Sequence, residues 1–260
     1  MSTLSDRIAQ AKKSHGIAVL PFIAAGYPDL DTSMQLLPAL DKAGAAGAEV
    51  GFPFSDPIAD GPIIQAAFTE ALKHGLKVDQ IFDGVAATRS QHALPLFAMV
   101  SFSIVYRYGV DAFVKKAKQS GFAATIIPDL PPPEAEETCK RIGAGGLETI
   151  MLISPSTPAK RRDEIARLCT GFIYYLSIAG ITGERDKLPP GIEANVRAIK
   201  QITDRLVCVG FGISKPEHVR QLSGIADGVI VGSGIVRRIK DSKTPVADVQ
   251  AYCAQLVAAE

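Results

Sequence analysis

Residues 206–234 read LVCVGFGISKPEHVRQLSGIADGVIVGSG. A short apolar run is followed by a glycine-containing loop, a helical stretch over Pro216–Leu222, a second apolar run and a second glycine loop. The apolar residues are continuous rather than alternating, which is the pattern of strands covered on both faces, as in a parallel sheet. Strand, loop and helix in this order form one βα unit.

The unit recurs along the chain. Apolar runs begin near Ile17 (IAVLPFIAAG), Ala46 (AGAEVGF), Leu94 (LPLFAMVSF), Phe122 (FAATIIPDL), Glu148 (ETIMLISP) and Phe172 (FIYYLSIAG), besides those near Leu206 and Asp227, which makes eight. Helical stretches lie between them: Asp31–Ala43 with an Asp-Thr N-cap, Ile63–His74, Gly109–Ser120, Pro133–Ile142, Lys160–Cys169 and Glu193–Thr203. Pro38 should kink or loosen the first of these. Eight such units without a linker-like stretch predict one closed (β/α)₈ TIM barrel over residues 1–260, with Leu4–Lys13 as an extra helix covering the barrel bottom. A doubly wound open sheet is the alternative, but no G-x-G-x-x-G follows the first strand.

Composition narrows the function. The 260 residues match the roughly 250 typical of a barrel, and a hydrophobic fraction of 47% is ample for its core. With 28 basic against 27 acidic residues, nothing favours nucleic acid or an anionic membrane as partner; a small molecule or another protein is expected. Cys139, Cys169, Cys208 and Cys253 show no paired spacing and read as reduced thiols of a cytoplasmic protein. Met1–Lys13 has no apolar segment of a signal peptide, and no run approaches the ~18 apolar residues of a membrane span.

Candidate chemistry starts with Glu49, a carboxylate inside the apolar strand Ala46–Phe52. Burying it ionised and unpaired costs several kcal/mol. It either pairs with a polar neighbour for structure alone, or is a carboxyl group of raised pKa able to give and take protons. The gap after this strand is the longest in the chain and carries Gly51–Phe52–Pro53–Phe54–Ser55–Asp56–Pro57–Ile58–Ala59–Asp60–Gly61–Pro62. Barrels place their chemistry in loops after the strands. Asp60 there, between Ala59 and Gly61, is a turn residue or a functional acid; Asp56, before Pro57, fits the turn role better. Asp129 ends the fourth strand at the same mouth and reads as support. Glu148 opens a strand at its N-terminal end, where solvent is the ordinary explanation.

Glycine loops follow the last three strands: Ala179–Gly183, Gly210–Ser214 and Gly232–Gly234. They let backbone N–H groups approach an anion, and a helix starting near Ser233 would aim its positive end at it. Ordinary βα turns are the other reading. No lysine lies in a strand core for a Schiff base, and His15, His74, His92 and His218 share no metal-ligand spacing. Carboxylate acid–base chemistry on a phosphorylated substrate remains.

The segment Glu49–Pro62 resembles the signature of the tryptophan synthase α subunit family. The likeness continues through Pro128–Asp129–Leu130–Pro131, Gly180–Gly183, Gly210–Ser214 and Val231–Ser233, covering nearly the whole chain in one register. It implies retro-aldol cleavage of indole-3-glycerol phosphate to indole and glyceraldehyde 3-phosphate, with indole passed to a β subunit in an α2β2 heterotetramer. Glu49 would be the general acid–base group and Asp60 would stabilise or accept the indole N–H proton. Gly183, Gly212, Gly232 and Ser233 would hold the phosphate, and Thr182 would fold a lid over Asp60. Phe22, Tyr174 and Phe211 are candidate walls for the indole ring. No cofactor is implied in this chain; pyridoxal phosphate would belong to the β partner.

Three positions depart from the family pattern. Ser101–Val105 stands where many members carry a Tyr/Asn/Pro-containing segment, Ile178 replaces a common arginine, and Gly234 sits where alanine is usual. The first two border the barrel mouth and the expected partner surface, so they bear on docking and lid behaviour more than on chemistry. The altered Ser101–Val105 segment motivates one alternative, a mainly regulatory partner of the β subunit with slow turnover of its own; a stand-alone indole-releasing lyase is a third reading.

Overall fold

In the computed structural model, which describes residues 3–56, 60–177, 188–210 and 212–259, the eight apolar runs are eight strands. They are β1 (Ala18–Ala24), β2 (Ala48–Gly51), β3 (Leu96–Met99), β4 (Phe122–Ile126), β5 (Glu148–Ile153), β6 (Ile173–Leu176), β7 (Val207–Gly210) and β8 (Gly228–Val231). Each pairs in parallel with its sequence neighbours, and β1 with β8, so the sheet closes into a barrel in sequence order.

Strand parity divides the core. Val19, Ile23, Val50, Leu96, Ala98 and Val209 face outward into the layer beneath the helices. Leu20, Phe97, Ile126, Ile150, Phe172 and Ile230 face inward and fill the barrel. Both faces are dry, which is why the runs show no polar alternation.

The N-terminal helix is as expected. Helix α1 (Leu4–His15) starts at a capping box between Thr3 and Asp6 and ends at Gly16, whose φ of 72° is the left-handed stop that glycine adopts without strain. Its Leu4 and Ile8 are fully buried in the barrel-interior cluster, so α1 plugs the bottom.

Around the barrel run α2 (Leu30–Lys42), α3 (Pro62–Lys73), α4 (Val78–Thr88), α5 (Phe102–Tyr108), α6 (Val110–Ser120), α7 (Pro132–Ala144), α8 (Ala159–Leu168), α9 (Ile192–Lys200), α10 (Pro216–Leu222), α11 (Ser233–Asp241) and α12 (Pro245–Val257). The cap of α2 is Asp29, which accepts from the Thr32 N–H at 2.7 Å, two residues before the expected Asp31. The long gap between β2 and β3 holds α4 as well as α3, and α12 was not anticipated. The expected helix from Gly109 is preceded by α5, with Gly109 turning between the two at φ 90°. Among the described residues no helix is long and apolar enough to cross a membrane.

Glu148 is the plainest correction. It shares inward parity with Ile150 and pairs in register with the inward Ala124, so its side chain turns toward the plug helix and is half-buried. Its Oε2 is buried without a hydrogen-bond partner among the described residues, and burial, then the nearby Asp6 charge, raises its pKa.

Candidate active site

On β2 the outward Ala48 and Val50 enter the apolar layer under the helices, and the period of two turns Glu49 into the barrel. Its register partners are Phe22 on β1 and Phe97 on β3. Glu49 is 1% exposed, and its Oε1 has no hydrogen-bond partner among the described residues. Burial, with a further push from the charge of Asp60, raises its pKa to about 8.

Asp60 lies just before α3, whose N-cap is Gly61 and whose first turn holds Pro62. That start anchors the residue: the Asp60 carbonyl accepts from Gln65 Nε2 at 2.8 Å, and the Gln65 N–H bonds back to the Gly61 carbonyl at 3.0 Å. The carboxylate is left to face inward, half-buried, and burial raises its pKa to about 6.

Glu49 and Asp60 border one cavity of about 360 Å³ at the C-terminal mouth of the barrel. Phe54, Phe68, Met99, Leu152, Tyr174 and Leu176 give it apolar walls. Tyr174 thus borders the cavity; burial, then Glu49 and Asp60, keeps its phenol protonated far above the ordinary range. Met99, Leu152 and Leu176 were missed, although each lies two residues from an inward residue and strand parity alone would have found them. Phe22 is not part of the wall. Its ring lies over Gly51, where a Cβ would come within 2.5 Å of it, and stacks edge-on against Phe68 at 6.2 Å.

The two other loop acids divide as follows. Asp56 accepts from the Ser55 hydroxyl at 2.6 Å but also borders the cavity, so the turn role is not its whole setting. Asp129 supports: it accepts from the Ser101 hydroxyl at 2.6 Å and the Phe102 N–H at 2.7 Å, holding the start of α5. The atypical Ser101–Val105 segment is thus the first turn of a helix, with Ser101 as N-cap.

Gly212, Gly232 and Ser233 stand at the rim beyond β7 and β8 and are not brought to the wall of the cavity. Gly212 has φ 80°, Gly232 is the N-cap of α11, and Ser233 is its buried first residue. Gly232 lies beside Phe22 and Ile64, which places this rim next to β1 and α3. Thr182, Gly183, Phe211 and Ile178 lie outside the described residues.

Comparison with known proteins bears on this arrangement. A family model described as tryptophan synthase alpha chain matches residues 8–259. The chain is 42% identical to the tryptophan synthase alpha chain of Rhodopirellula baltica, over 93% of its own length and 88% of that protein. It is 40% identical to that of Lacticaseibacillus casei, over 97% and 95%. Among solved structures it is similar to Mycobacterium tuberculosis tryptophan synthase (TM-score 0.91, 31% identity, 99% and 98% covered) and to tryptophan synthase subunit alpha of Legionella pneumophila (TM-score 0.90, 33% identity, 100% and 98% covered).

Proposed function

Because the chain belongs to the tryptophan synthase alpha chain family, we propose that the cavity under its β2 and β6 ends is where indole-3-glycerol phosphate is cleaved. The chain is a carbon–carbon lyase of tryptophan biosynthesis, releasing indole and glyceraldehyde 3-phosphate by a retro-aldol step. It works with a β subunit, and an α2β2 heterotetramer in the cytoplasm is the assembly we infer. Pyridoxal phosphate would be held by that partner; proton transfer between the carboxyl groups and the substrate asks for no cofactor in this chain.

One observation carries the mechanism: two acids face a single apolar cavity with different proton affinities. Near neutral pH a carboxyl group of pKa about 8 is protonated and one of about 6 is ionised. Glu49 therefore starts as the acid and gives its proton to the ring carbon that bears the glycerol chain. Positive charge then develops on the indole nitrogen, where ionised Asp60 stabilises or accepts the N–H proton. As the carbon–carbon bond breaks, its electron pair returns to the ring, the side-chain hydroxyl becomes the aldehyde, and Glu49 takes the hydroxyl proton. Any proton that Asp60 has accepted returns to the ring nitrogen, and the enzyme ends as it began. The apolar walls keep water from these groups and so strengthen each charge interaction.

Gly212, Gly232 and Ser233 would receive the phosphate, with the backbone N–H groups at the start of α11 turned toward it. Thr182, Gly183 and Phe211 complete the family's pattern in sequence.

The test is indole formation from indole-3-glycerol phosphate, with and without the β chain, as a function of pH. The expected kcat/KM profile is a bell whose acid limb, near 6, follows ionisation of Asp60 and whose alkaline limb, near 8, follows loss of the Glu49 proton. Because the acids interact, the limbs belong to the pair. A rate that stays level from pH 5 to 9 would exclude the two-acid mechanism.

A further inference from the structure

Beyond β7 both backbone polar groups of Ser214 are bonded by side chains. Its N–H donates to Nδ1 of His218 on α10 at 3.3 Å, and its carbonyl accepts from the Tyr252 hydroxyl on α12 at 2.7 Å. All three residues are buried: Ser214 at 8%, His218 at 2% and Tyr252 at 3% exposure. A loop peptide out of water needs partners for both polar groups. Here they come from two helices, α10 and α12.

The same phenol also touches the β8 side. A Cβ on Gly234, in the first turn of α11, would lie 2.5 Å from the Tyr252 hydroxyl. Arg238, one turn further on, sets its guanidinium 3.2 Å from the centre of the Tyr252 ring and donates to the Gly234 carbonyl at 3.2 Å. Tyr252 is thus wedged between the loop that carries Gly212–Ser214 and the helix start that carries Gly232–Ser233. The departure at Gly234 has a physical reason: the space of an alanine methyl is taken by the hydroxyl.

We propose that Tyr252, with His218, positions the two glycine loops so that both face one phosphate group. This rests on the reading of Gly212, Gly232 and Ser233 as phosphate contacts. Tyr252 and His218 touch no reacting atom; they act through the Ser214 peptide and the first turn of α11. Their effect falls on recognition of the substrate's phosphate end and leaves the carbon–carbon cleavage step alone.

The experiment is a cycle of Tyr252→Phe, Gly234→Ala and the double variant, each assayed with the β subunit. KM and kcat for indole-3-glycerol phosphate are measured together with competitive inhibition by glycerol 3-phosphate and by indole. Losing one hydrogen bond should weaken glycerol 3-phosphate and raise KM by about tenfold in Tyr252→Phe, with kcat within about threefold and indole affinity unchanged. Gly234→Ala should do the same by displacing the hydroxyl. It should add little in the Tyr252→Phe background, where the nearest ring atom would be 3.4 Å away. Equal weakening of indole and glycerol 3-phosphate would mean general loosening and overturn the proposal, as would full additivity. Gly212→Val separates the two readings. If it weakens glycerol 3-phosphate while Tyr252→Phe does not, the positioning role fails and the phosphate site stands. If neither variant affects glycerol 3-phosphate, the phosphate reading fails, and the positioning role with it. His218→Gln should repeat the Tyr252→Phe pattern more weakly, and an unchanged KM there would remove His218 from the pair.

Discussion

At the bottom of the barrel Asp227 is surrounded by donors: Lys12 Nζ at 2.6 Å, the Val207 N–H at 2.8 Å and Lys200 Nζ at 3.0 Å. At the mouth Glu49, equally out of water, has an oxygen with no partner among the described residues and another acid nearby. Burial pushes both carboxyl groups toward the neutral form. For Asp227 the lysines and the N–H outweigh burial and the pKa is lowered; for Glu49 nothing does and it rises to about 8. The contrast separates holding from reacting. A carboxylate given cations ties the plug helix to β7 and β8, whereas one denied them keeps a proton available at neutral pH.

The largest break in this comparison should come from Glu49→Gln. The amide fills the site without a transferable proton, so turnover should fall by about 10²–10⁴-fold, while glycerol 3-phosphate still binds. An unchanged rate would end its proton-transfer role. Stability supplies an independent reading. A raised folded pKa means that the stability Glu49 contributes is complete below its unfolded value, near 4.3, and is lost as pH rises toward 8. The Gln variant does not titrate, so its advantage in thermal melting should grow from pH 5 to pH 8, toward an order of 4 kcal/mol.

Asp60→Asn should lower turnover by about 10²–10³-fold, the usual loss when a charge facing the transition state is removed. It should also sharpen the contrast. The Asp60 charge is one cause of the raised Glu49 pKa, so removing it should move the alkaline limb of the rate profile toward neutral pH. A limb that stays in place would show that burial alone sets Glu49.

How far the sequence discloses this follows from which signals are local. The eight strands were readable because each is buried on both faces and so continuously apolar. Glu49 stood out for the same reason, as a charge in such a run. Helix α4 has no side-chain hydrogen bond from its N-cap Lys77 to mark its start, and the sequence reading assigns no element between His74 and the third strand. Glu148 was assigned to solvent because it opens a strand, yet parity with Ile150 already turned it inward. Phe22 has inward parity too, but where its ring goes is decided by the bare Cα of Gly51 on the neighbouring strand. That is a contact between distant residues, and periodicity along one segment cannot show it. The glycines of the rim were visible; of the side chains that shape their loops, His218 follows four residues after Ser214, but Tyr252 comes from α12, 38 residues along the chain.

At the held end, Asp227→Asn should leave indole formation within about twofold and destabilise the fold by about 1–3 kcal/mol, since the lysines that lose their partner are partly in solvent. In the unsubstituted chain the sign with pH is opposite to that of Glu49. A lowered folded pKa contributes stability above the unfolded value, near 3.9, and that contribution disappears as pH falls through the folded one. Melting of the variant and the unsubstituted chain should therefore converge in acid and separate above pH 5, the reverse of a cation-starved site. Parallel melting curves at all pH values would mean that Asp227 is not held by charge.

The smallest effect is expected at Ser101, and it tests whether the mouth as a whole lacks donors or only Glu49 does. Asp129 lies at the same rim, yet it accepts from the Ser101 hydroxyl and the Phe102 N–H, the latter independent of any side chain. Ser101→Ala should leave that N–H bond in place and cost about 0.5–1 kcal/mol, the range for losing one side-chain contact at a helix cap. Turnover should change by less than about threefold, because Asp129 stays anchored and neither group is asked to move a proton. Asp129→Ala removes both bonds and the negative charge at the start of α5, so it should cost more than Ser101→Ala. If the serine variant instead lost activity on the scale of Asp60→Asn, the rim acids would act as one coupled set, and unmet hydrogen bonding could no longer be assigned to Glu49 alone.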